Sequence, residues 1–334
     1  MMKKKLIFIL VGGLFAIGGF FYFRNQVYYS HGENSSSKMF LIEKGESVSD
    51  IAVRLKQEGF ISGKIYFYYY LKANNLWEKI YPGEYQIFQS MTIGEIARII
   101  TNPQEKFIRV TFPEGFDSRQ MAKRLNENGL PGDNFLKIVE NPQDLKKRYS
   151  YLSEEKVLNL EGYLFPDTYF FKSDISTENI VGRMLDNFDA KLNQNLRDET
   201  KIQKRSIREI VTMASILEME VKTKKDRELV SGIFWKRIEE NMPLQSDITL
   251  TYATGEKKEK YSLSDIETNS PYNTYKFAGL PPGPINNPGK ESIESAIYPK
   301  ESEYLYFLSD PRSGQTIFSK TYPEHLIKKE EVGL

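Results

Sequence analysis

Cysteine is absent from this chain of 334 residues, and only two histidines occur, His31 and His325. The lack of cysteine excludes disulfides, thiol nucleophiles and thiolate metal ligands. Two histidines so far apart in sequence argue against a histidine metal site or a Ser-His-Asp triad. Lys and Arg number 46 against 45 Asp and Glu, so the net charge of +1 gives no basic excess for binding nucleic acid. Acid–base chemistry must therefore rest mainly on carboxylates, lysine or tyrosine.

A long apolar run is present near the start of the chain. Residues 6–23 carry no charged side chain and follow three lysines at positions 3–5. At ~1.5 Å per residue this run is just long enough to cross a hydrocarbon core. A cleaved signal peptide is the alternative, but bulky residues and Arg24 stand where a cleavage site needs small ones. We expect a single-pass transmembrane anchor with the N-terminus in the cytoplasm and the remaining chain outside it.

A strand–turn–helix pattern occurs twice with the same internal spacing. The first copy has its turn at Gly45 and ends at Gly59, and the second has its turn at Gly115 and ends at Gly129. The helices share an apolar face, formed by Ile51, Ala52 and Leu55 in one copy and Met121, Ala122 and Leu125 in the other. This repeated unit resembles the LysM unit, which binds peptidoglycan. The alternative is that the copies only pack together.

One helix carries a carboxylate on its apolar face. Ser206 followed by Glu209 predicts a capping box at its start. Behind the cap, one apolar stripe recurs at helical spacing, formed by Ile207, Ile210, Val211, Ala214, Leu217 and Val221. At about 100° per residue, Glu218 falls inside this stripe, whereas Glu209 and Glu220 point away. Burial disfavours the charged form of a carboxyl group, which suits a general acid; a structural carboxylate with a buried partner is the alternative.

Hydrolysis of a glycoside normally needs a second carboxylate, and Asp247 and Asp167 are the candidates. Asp247 can equally be the N-cap of a helix that starts at Ile248. Polar and aromatic side chains near Asp247 and in the irregular segment 270–289 are candidates for sugar binding, with local turn or cap roles as the alternative. The predicted binding residues are Gln245, Ser246, Asp247, Thr249, Tyr252, Asn273 and Tyr275.

Several blocks in this order resemble the signature blocks of the endolytic murein transglycosylase family, also called MltG or YceG-like. The blocks are LEGYLFPDTYF at 160–170, ASILE at 214–218, LQSD at 244–247, PYNTY at 271–275 and GLPPGPINNPG at 279–289. The resemblance extends from about Phe40 to the C-terminus. The departures are modest: Met219 and Val221 occupy variable places, and Ser246 stands where Thr is also usual.

The resemblance implies a lytic transglycosylase, a lyase acting on polysaccharides that needs no cofactor or metal. Such an enzyme cleaves the MurNAc–GlcNAc β-1,4 bond in nascent peptidoglycan strands without water and leaves 1,6-anhydroMurNAc ends, which terminates or trims strand elongation. The family's catalytic glutamate corresponds to Glu218, as both acid and base, which leaves Asp247 as a binding residue. The implied partners are glycan strands and peptidoglycan synthases, and the implied location is the bacterial cytoplasmic membrane with an extracytoplasmic catalytic domain.

The predicted fold class is α+β, with an N-terminal transmembrane helix, a LysM-like strand–helix module and a mixed α/β catalytic domain. The predicted boundaries are a cytoplasmic tail at 1–5, an anchor at 6–23, a linker at 24–38, the LysM-like module at 39–106 and the catalytic domain at 107–334, with the second repeat at 107–130. Two other functions stay open: a hydrolase of the same bond that uses Glu218 with Asp247, and a non-catalytic glycan-binding scaffold of the wall-synthesis machinery.

Overall fold

The computed structural model describes residues 17–28, 37–103, 105–153, 157–258 and 261–334. The chain divides into two compact units. The first comprises the described part of Met1–Arg109 together with Tyr169–Ile175, and the second comprises that of Val110–Thr168 and Ser176–Leu334. The domain boundaries predicted from the sequence stay a prediction.

The first unit is built on a sheet with strand order β1-β2-β3-β4, in which β1 and β2 run antiparallel with Phe40 opposite Tyr85. Both of these residues are buried in one core with Leu55, Phe67 and residues of α4. β3 and β4 each begin in one unit and end in the other. The elements are α1 (17–28), β1 (Ser37–Ile42), α2 (Val48–Gln57), α3 (Lys64–Ala73), β2 (Gly83–Phe88), α4 (Ile93–Ile100), β3 (Phe107–Thr111) and β4 (Thr168–Lys172).

The predicted transmembrane anchor is corrected by the structure. Residues 6–16 of the predicted span lie outside the described residues, and residues 17–28 form a helix that includes Arg24 and two amides. Among the residues that the structure describes, no helix is long and apolar enough to cross a membrane. A span needs ~20 predominantly apolar residues, so the fold class with an N-terminal transmembrane helix is wrong. Residues 24–28, predicted as linker, are helical, and Ser37 and Lys38 already belong to β1.

The second unit is mainly helical. Its elements are α5 (Ser118–Glu127), α6 (Gly132–Glu140), α7 (Gln143–Lys146), α8 (Ser150–Ser153), α9 (Thr177–Lys191), α10 (Gln194–Ile202), α11 (Ile207–Glu220), α12 (Lys224–Glu239), α13 (Asp247–Thr254), α14 (Leu263–Ile266), α15 (Lys290–Ile297), β5 (Tyr306–Ser309), β6 (Thr316–Ser319) and α16 (Tyr322–Val332). Helices α11, α12 and α15 pack against one another in pairs. Near the C-terminus, β5 and β6 pair antiparallel as a hairpin.

Helix α11 is the centre of the second unit. The capping box predicted at its start is confirmed: the Glu209 backbone N donates to Ser206 Oγ at 3.2 Å, and the Ser206 backbone N donates to Glu209 Oε2 at 2.7 Å. Every residue from Ile210 to Leu217 is buried, so α11 is covered on more sides than a single apolar stripe requires. The helix ends at Val221, whose backbone is extended. Burial on several sides means that polar residues near this end have protein rather than water beside them.

Candidate active site

Glu218 lies in the last turn of α11 with a side chain that is only 6% exposed. Its two carboxylate oxygens accept hydrogen bonds from different elements. Arg227 Nη2, on α12, donates to Oε1 at 3.2 Å, and the backbone N of Gly289 donates to Oε2 at 2.9 Å. A nearly buried carboxylate therefore has both a cationic partner and a backbone donor, as burial of charge requires. Its catalytic role stays a prediction.

Arg227 joins two carboxylates at this site. The residue is 7% exposed, and its Nη1 donates to Glu291 Oε2, on α15, at 3.1 Å. Its buried Nε has no hydrogen-bond partner in the part of the chain that the structure describes. Removing one partner of such a buried pair leaves an uncompensated charge, at a typical cost of about 3–5 kcal/mol. Arg227 therefore fixes Glu218 and leaves one donor unused.

Gly289 is the N-cap residue of α15 and contacts a second carboxyl group. A Cβ built on Gly289 would lie 1.9 Å from Oε1 of Glu114. The Glu114 carboxyl group thus occupies the space that a side chain at position 289 would need. The glycine is required here for close approach rather than for its backbone angles, since its φ of −75° is open to any residue.

Glu114 stands in the turn between β3 and α5 and was not among the residues predicted from the sequence. The next residue, Gly115, has φ +80°, and a Cβ there would lie 2.9 Å from Met219 Sδ and 3.5 Å from Glu218 Cγ. Partial burial of the carboxyl group and the negative charge of Glu218 raise the pKa of Glu114, and the Arg227 charge opposes them. A signal was present: Glu114 precedes the turn glycine where the first copy of the repeat has Lys44.

Asn287 holds the segment before Gly289 in place. Its Oδ1 accepts from the backbone N of Gly162 at 2.9 Å and of Leu164 at 3.0 Å. Its backbone carbonyl accepts from the Gly115 N at 2.9 Å, which ties it to the Glu114 turn. Two blocks that were recognised in the sequence, 160–170 and 279–289, therefore meet at one side chain. Their contact positions the glycine that donates to Glu218.

Glu161 is buried beside Asn287, at 4% exposure. It accepts from Asn287 Nδ2 at 2.8 Å, and from the Ser118 backbone N and Oγ at 3.1 Å and 2.7 Å. Burial raises the pKa of Glu161 to about 7, although these hydrogen bonds oppose the rise. The carboxyl group links the start of α5 to the 160–170 block, so it supports the site rather than facing a ligand.

Glu220 contacts the predicted binding residues. Helical periodicity directs its side chain away from the apolar stripe, and on that side of α11 the side chain contacts Ser246 rather than only solvent. Ser246 Oγ donates a hydrogen bond to Glu220 Oε1. Burial, reinforced by the charge of Asp247, raises the pKa of Glu220 to about 7. Glu218 and Glu220 thus belong to two different polar clusters on one helix end.

Asp247 belongs to the Glu220 cluster. Tyr275 Oη donates to Asp247 Oδ1 at 2.6 Å, and burial followed by this hydrogen bond raises the pKa of Tyr275. Within the described residues, no hydrogen bond or ion pair joins Asp247 to Glu218. The N-cap of α13 is Ser246, and Asp247 is its first residue, so the predicted N-cap role of Asp247 is wrong by one position. Asp167, the other candidate, accepts from Asn187 Nδ2 at 3.0 Å.

The other predicted binding residues divide by exposure. Thr249 and Asn273 are fully buried and bonded within the protein. Thr249 Oγ1 lies 2.8 Å from Thr274 Oγ1, and Asn273 Nδ2 donates to the Ile266 carbonyl at 2.7 Å. Gln245 is exposed and has φ +54°, and Tyr252 is half-buried against the ring of Tyr272. The structure brings Ser246, Asp247, Thr249 and Tyr275 together. Of the predicted binding residues, those with surface that a ligand could contact are Gln245, Asp247, Tyr252 and Tyr275.

The fold and the site define a mixed α/β protein whose candidate active centre is the Glu218 carboxylate held by one buried arginine, with the carboxyl groups of Glu291 and Glu114 beside it. The chain belongs to the YceG-like family, whose sequence profile matches residues 40–331. The resemblance identified from the sequence is thereby confirmed.

Known relatives cover most of the chain. An endolytic murein transglycosylase of Bacillus subtilis is 33% identical over 94% of this chain and 90% of its own length. A protein of the same name from Streptococcus pneumoniae is 29% identical, and the match covers 95% of this chain and 63% of that protein. The crystal structure of a YceG-like protein from Listeria monocytogenes is 35% identical, with a TM-score of 0.62 over 89% of this chain and 100% of that one.

Proposed function

We propose that this protein is a peptidoglycan lytic transglycosylase whose acid and base is Glu218. The observation that carries the proposal is the Glu218 carboxylate itself, nearly buried and held by Arg227 and Gly289. The names of the B. subtilis and S. pneumoniae relatives support murein as the substrate class. The finer proposal is an endolytic cut of the MurNAc–GlcNAc β-1,4 bond in nascent strands that leaves 1,6-anhydroMurNAc ends.

The proposed reaction uses one carboxyl group twice. Glu218 first gives its proton to the glycosidic oxygen as the bond to the anomeric carbon breaks. The resulting carboxylate then takes the proton of the sugar's own 6-hydroxyl, whose oxygen bonds to the anomeric carbon. One C–O bond breaks, one forms, the proton returns to Glu218 and no water is consumed. Arg227 and Gly289 stabilise the carboxylate between the two proton transfers.

The hydrolase alternative relies on Asp247 as the second carboxylate. The hydrogen bond from Tyr275 and the neighbouring Glu220 assign Asp247 to the other polar cluster, so no observation favours this alternative. We also propose that the catalytic unit works outside the cytoplasm and close to peptidoglycan synthases, because nascent glycan strands are made there.

The test is digestion of purified glycan strands with the wild-type protein and with Glu218→Gln. We expect anhydro ends from the wild type and a loss of about a hundred- to ten-thousand-fold in Glu218→Gln. Glu209→Gln is the matched control on the same helix, because glutamine also completes a capping box. Folded wild-type protein that produces no anhydro ends would overturn the proposal, and this is the result that the non-catalytic scaffold predicts. A Glu218→Gln variant of full activity would overturn the role of Glu218.

A further inference from the structure

The turn that precedes α5 lies directly against the end of α11. A Cβ on Gly115 would contact Glu218 Cγ at 3.5 Å and Met219 Sδ at 2.9 Å. Because such distances leave little room for any atom between the turn and Glu218, the backbone of Glu114–Gly115 forms part of the wall beside Glu218. The side chain of residue 114 is therefore attached to backbone that lies beside Glu218.

Two carboxyl groups contact one glycine. The backbone N of Gly289 donates to Glu218 Oε2 at 2.9 Å, while the carboxyl group of Glu114 fills the space of a Cβ on the same residue. The charged groups that act on the Glu114 carboxyl are Glu218 from α11, Arg227 from α12 and Glu291 from α15. Three acidic groups therefore surround one cation, and a single positive charge cannot neutralise all three.

The hydrogen bonds at the site are unequally shared. Glu218 receives two, and Glu291 receives one from Arg227. No hydrogen bond to the Glu114 side chain is present among the described residues, although Arg227 Nε lies buried without a partner. Of the three acids, Glu114 alone accepts no hydrogen bond from the described residues, and as a residue it is exposed, so the groups that act on its charge are solvent and the neighbouring charges. Two acidic groups that share a site lose their protons in two steps, and the second step is the harder one because it places two like charges side by side.

We propose that Glu114 is a positioning residue for cleavage by Glu218, because the two carboxyl groups hold one proton between them. This inference rests on the proposed function. The proton that Glu218 delivers to the glycosidic oxygen is retained in the pair by Glu114 and returns to the pair from the 6-hydroxyl. Removing the last proton would place two like charges side by side, so the pair keeps one proton more readily than a single carboxyl group does. Glu114 thereby replaces Asp247 as the second carboxyl group that matters for the reaction.

The experiment compares the pH dependence of anhydro-end formation by wild type, Glu114→Gln and Glu114→Asp. Glutamine keeps the size of the side chain but carries no charge. The alkaline limb of the pH–rate profile, where cleavage falls as pH rises, should therefore move toward lower pH by about one unit. On the alkaline side, Glu114→Gln should then be about tenfold slower than wild type. Glu114→Asp keeps the negative charge, so its alkaline limb should lie close to that of the wild type. Glu43→Gln, in the corresponding turn of the first copy, is the control and should leave the limb unchanged.

The outcomes separate this inference from the proposed function. A wild type without anhydro ends refutes the function itself. An active wild type with the same alkaline limb in Glu114→Gln refutes only the role of Glu114. Gly289→Ala gives a second route, because its Cβ displaces the Glu114 carboxyl group while the backbone N is kept. A shift of its limb in the same direction supports the inference, and unchanged limbs in both variants overturn it.

Discussion

Two copies of one strand–turn–helix unit form the same local structure in this protein. In the first copy an arginine of the helix, Arg54, donates back to the carbonyl of Leu41 in its strand. In the second, Arg124 Nη1 donates to the Thr111 carbonyl at 2.8 Å, with the same separation in sequence. The turn glycines also match, with φ +87° at Gly45 and +80° at Gly115. The two copies that share a sequence pattern thus also share an equivalent hydrogen bond from helix to strand.

The surroundings of the two turns differ. A Cβ on Gly45 would have no heavy atom within 4 Å, whereas one on Gly115 would contact Met219 and Glu218. Before the glycine, the first copy has Lys44 and the second has Glu114. The same local unit is therefore an exposed turn in one place and part of the wall beside a buried carboxylate in the other. Local sequence determines the conformation of the unit, and the segment packed against the turn determines its role.

Reversing the charge of the residue before each turn glycine should give the largest difference in cleavage rate between the two copies. Glu114→Lys adds a second cation beside Arg227 and holds Glu218 in its charged form, so cleavage should fall by about a thousandfold. Lys44→Glu changes an exposed residue of the first copy and should leave cleavage within a factor of about two of wild type. Initial rates of anhydro-end formation measure both. Equal losses in the two variants would contradict the difference between the copies.

The second copy alone is tied to a buried acid, through Ser118 and Glu161. Because burial raises the pKa of Glu161 from 4.5 to about 7, the folded state keeps a proton that the unfolded state loses. The contribution of Glu161 to the free energy of unfolding is complete below its unfolded-state pKa of 4.5. It decreases by up to about 3 kcal/mol as the pH rises through the folded-state pKa of about 7. Glu161→Gln should remove that part of the pH dependence.

Denaturant unfolding at about pH 5 and about pH 8 measures this effect. Glu220 has a similar raised pKa and keeps its own contribution in the variant, so some pH dependence should persist. Glu58→Gln, in the first copy, is the control and should follow the wild type. A Glu161→Gln variant that destabilises as steeply as wild type across this interval would show that Glu161 is ionised in the folded state throughout.

Replacing each turn glycine with alanine should give the smallest difference in activity between the two copies. Both substitutions place a side chain at positive φ, at a cost of about 1–2 kcal/mol in stability. Only Gly115→Ala also pushes on Met219 and Glu218, so only this variant should lose activity, by about tenfold. Urea unfolding and cleavage rates on the same samples separate the two effects. Full activity in Gly115→Ala would mean that Met219 alone absorbs the added methyl group.

The sequence predicted those features that depend on neighbouring residues. The capping box of Ser206 and Glu209 and the repeated strand–turn–helix unit both follow from short-range patterns, and the structure confirms them. The apolar run at 6–23 was also a short-range pattern, but residues 6–16 lie outside the described residues, and no helix among the described ones is long and apolar enough to cross a membrane.

The candidate site was only partly predictable. Helical periodicity found Glu218, because one face of α11 is apolar around it. Glu114 was missed, since its proximity to Glu218 depends on a contact between distant segments through Gly289. Periodicity also placed Glu220 away from the apolar stripe, yet α11 is covered on that side by Ser246. Thr249 and Asn273 have the polarity of binding residues but use it inside the protein.

The most direct test of the account is digestion of glycan strands in water labelled with a heavy oxygen isotope, followed by mass spectrometry of the new ends. The account predicts anhydro ends without label from wild type and almost none from Glu218→Gln, because the attacking oxygen is the sugar's own. Labelled reducing ends would contradict it, since they would show that water attacks the anomeric carbon and that the protein is a hydrolase.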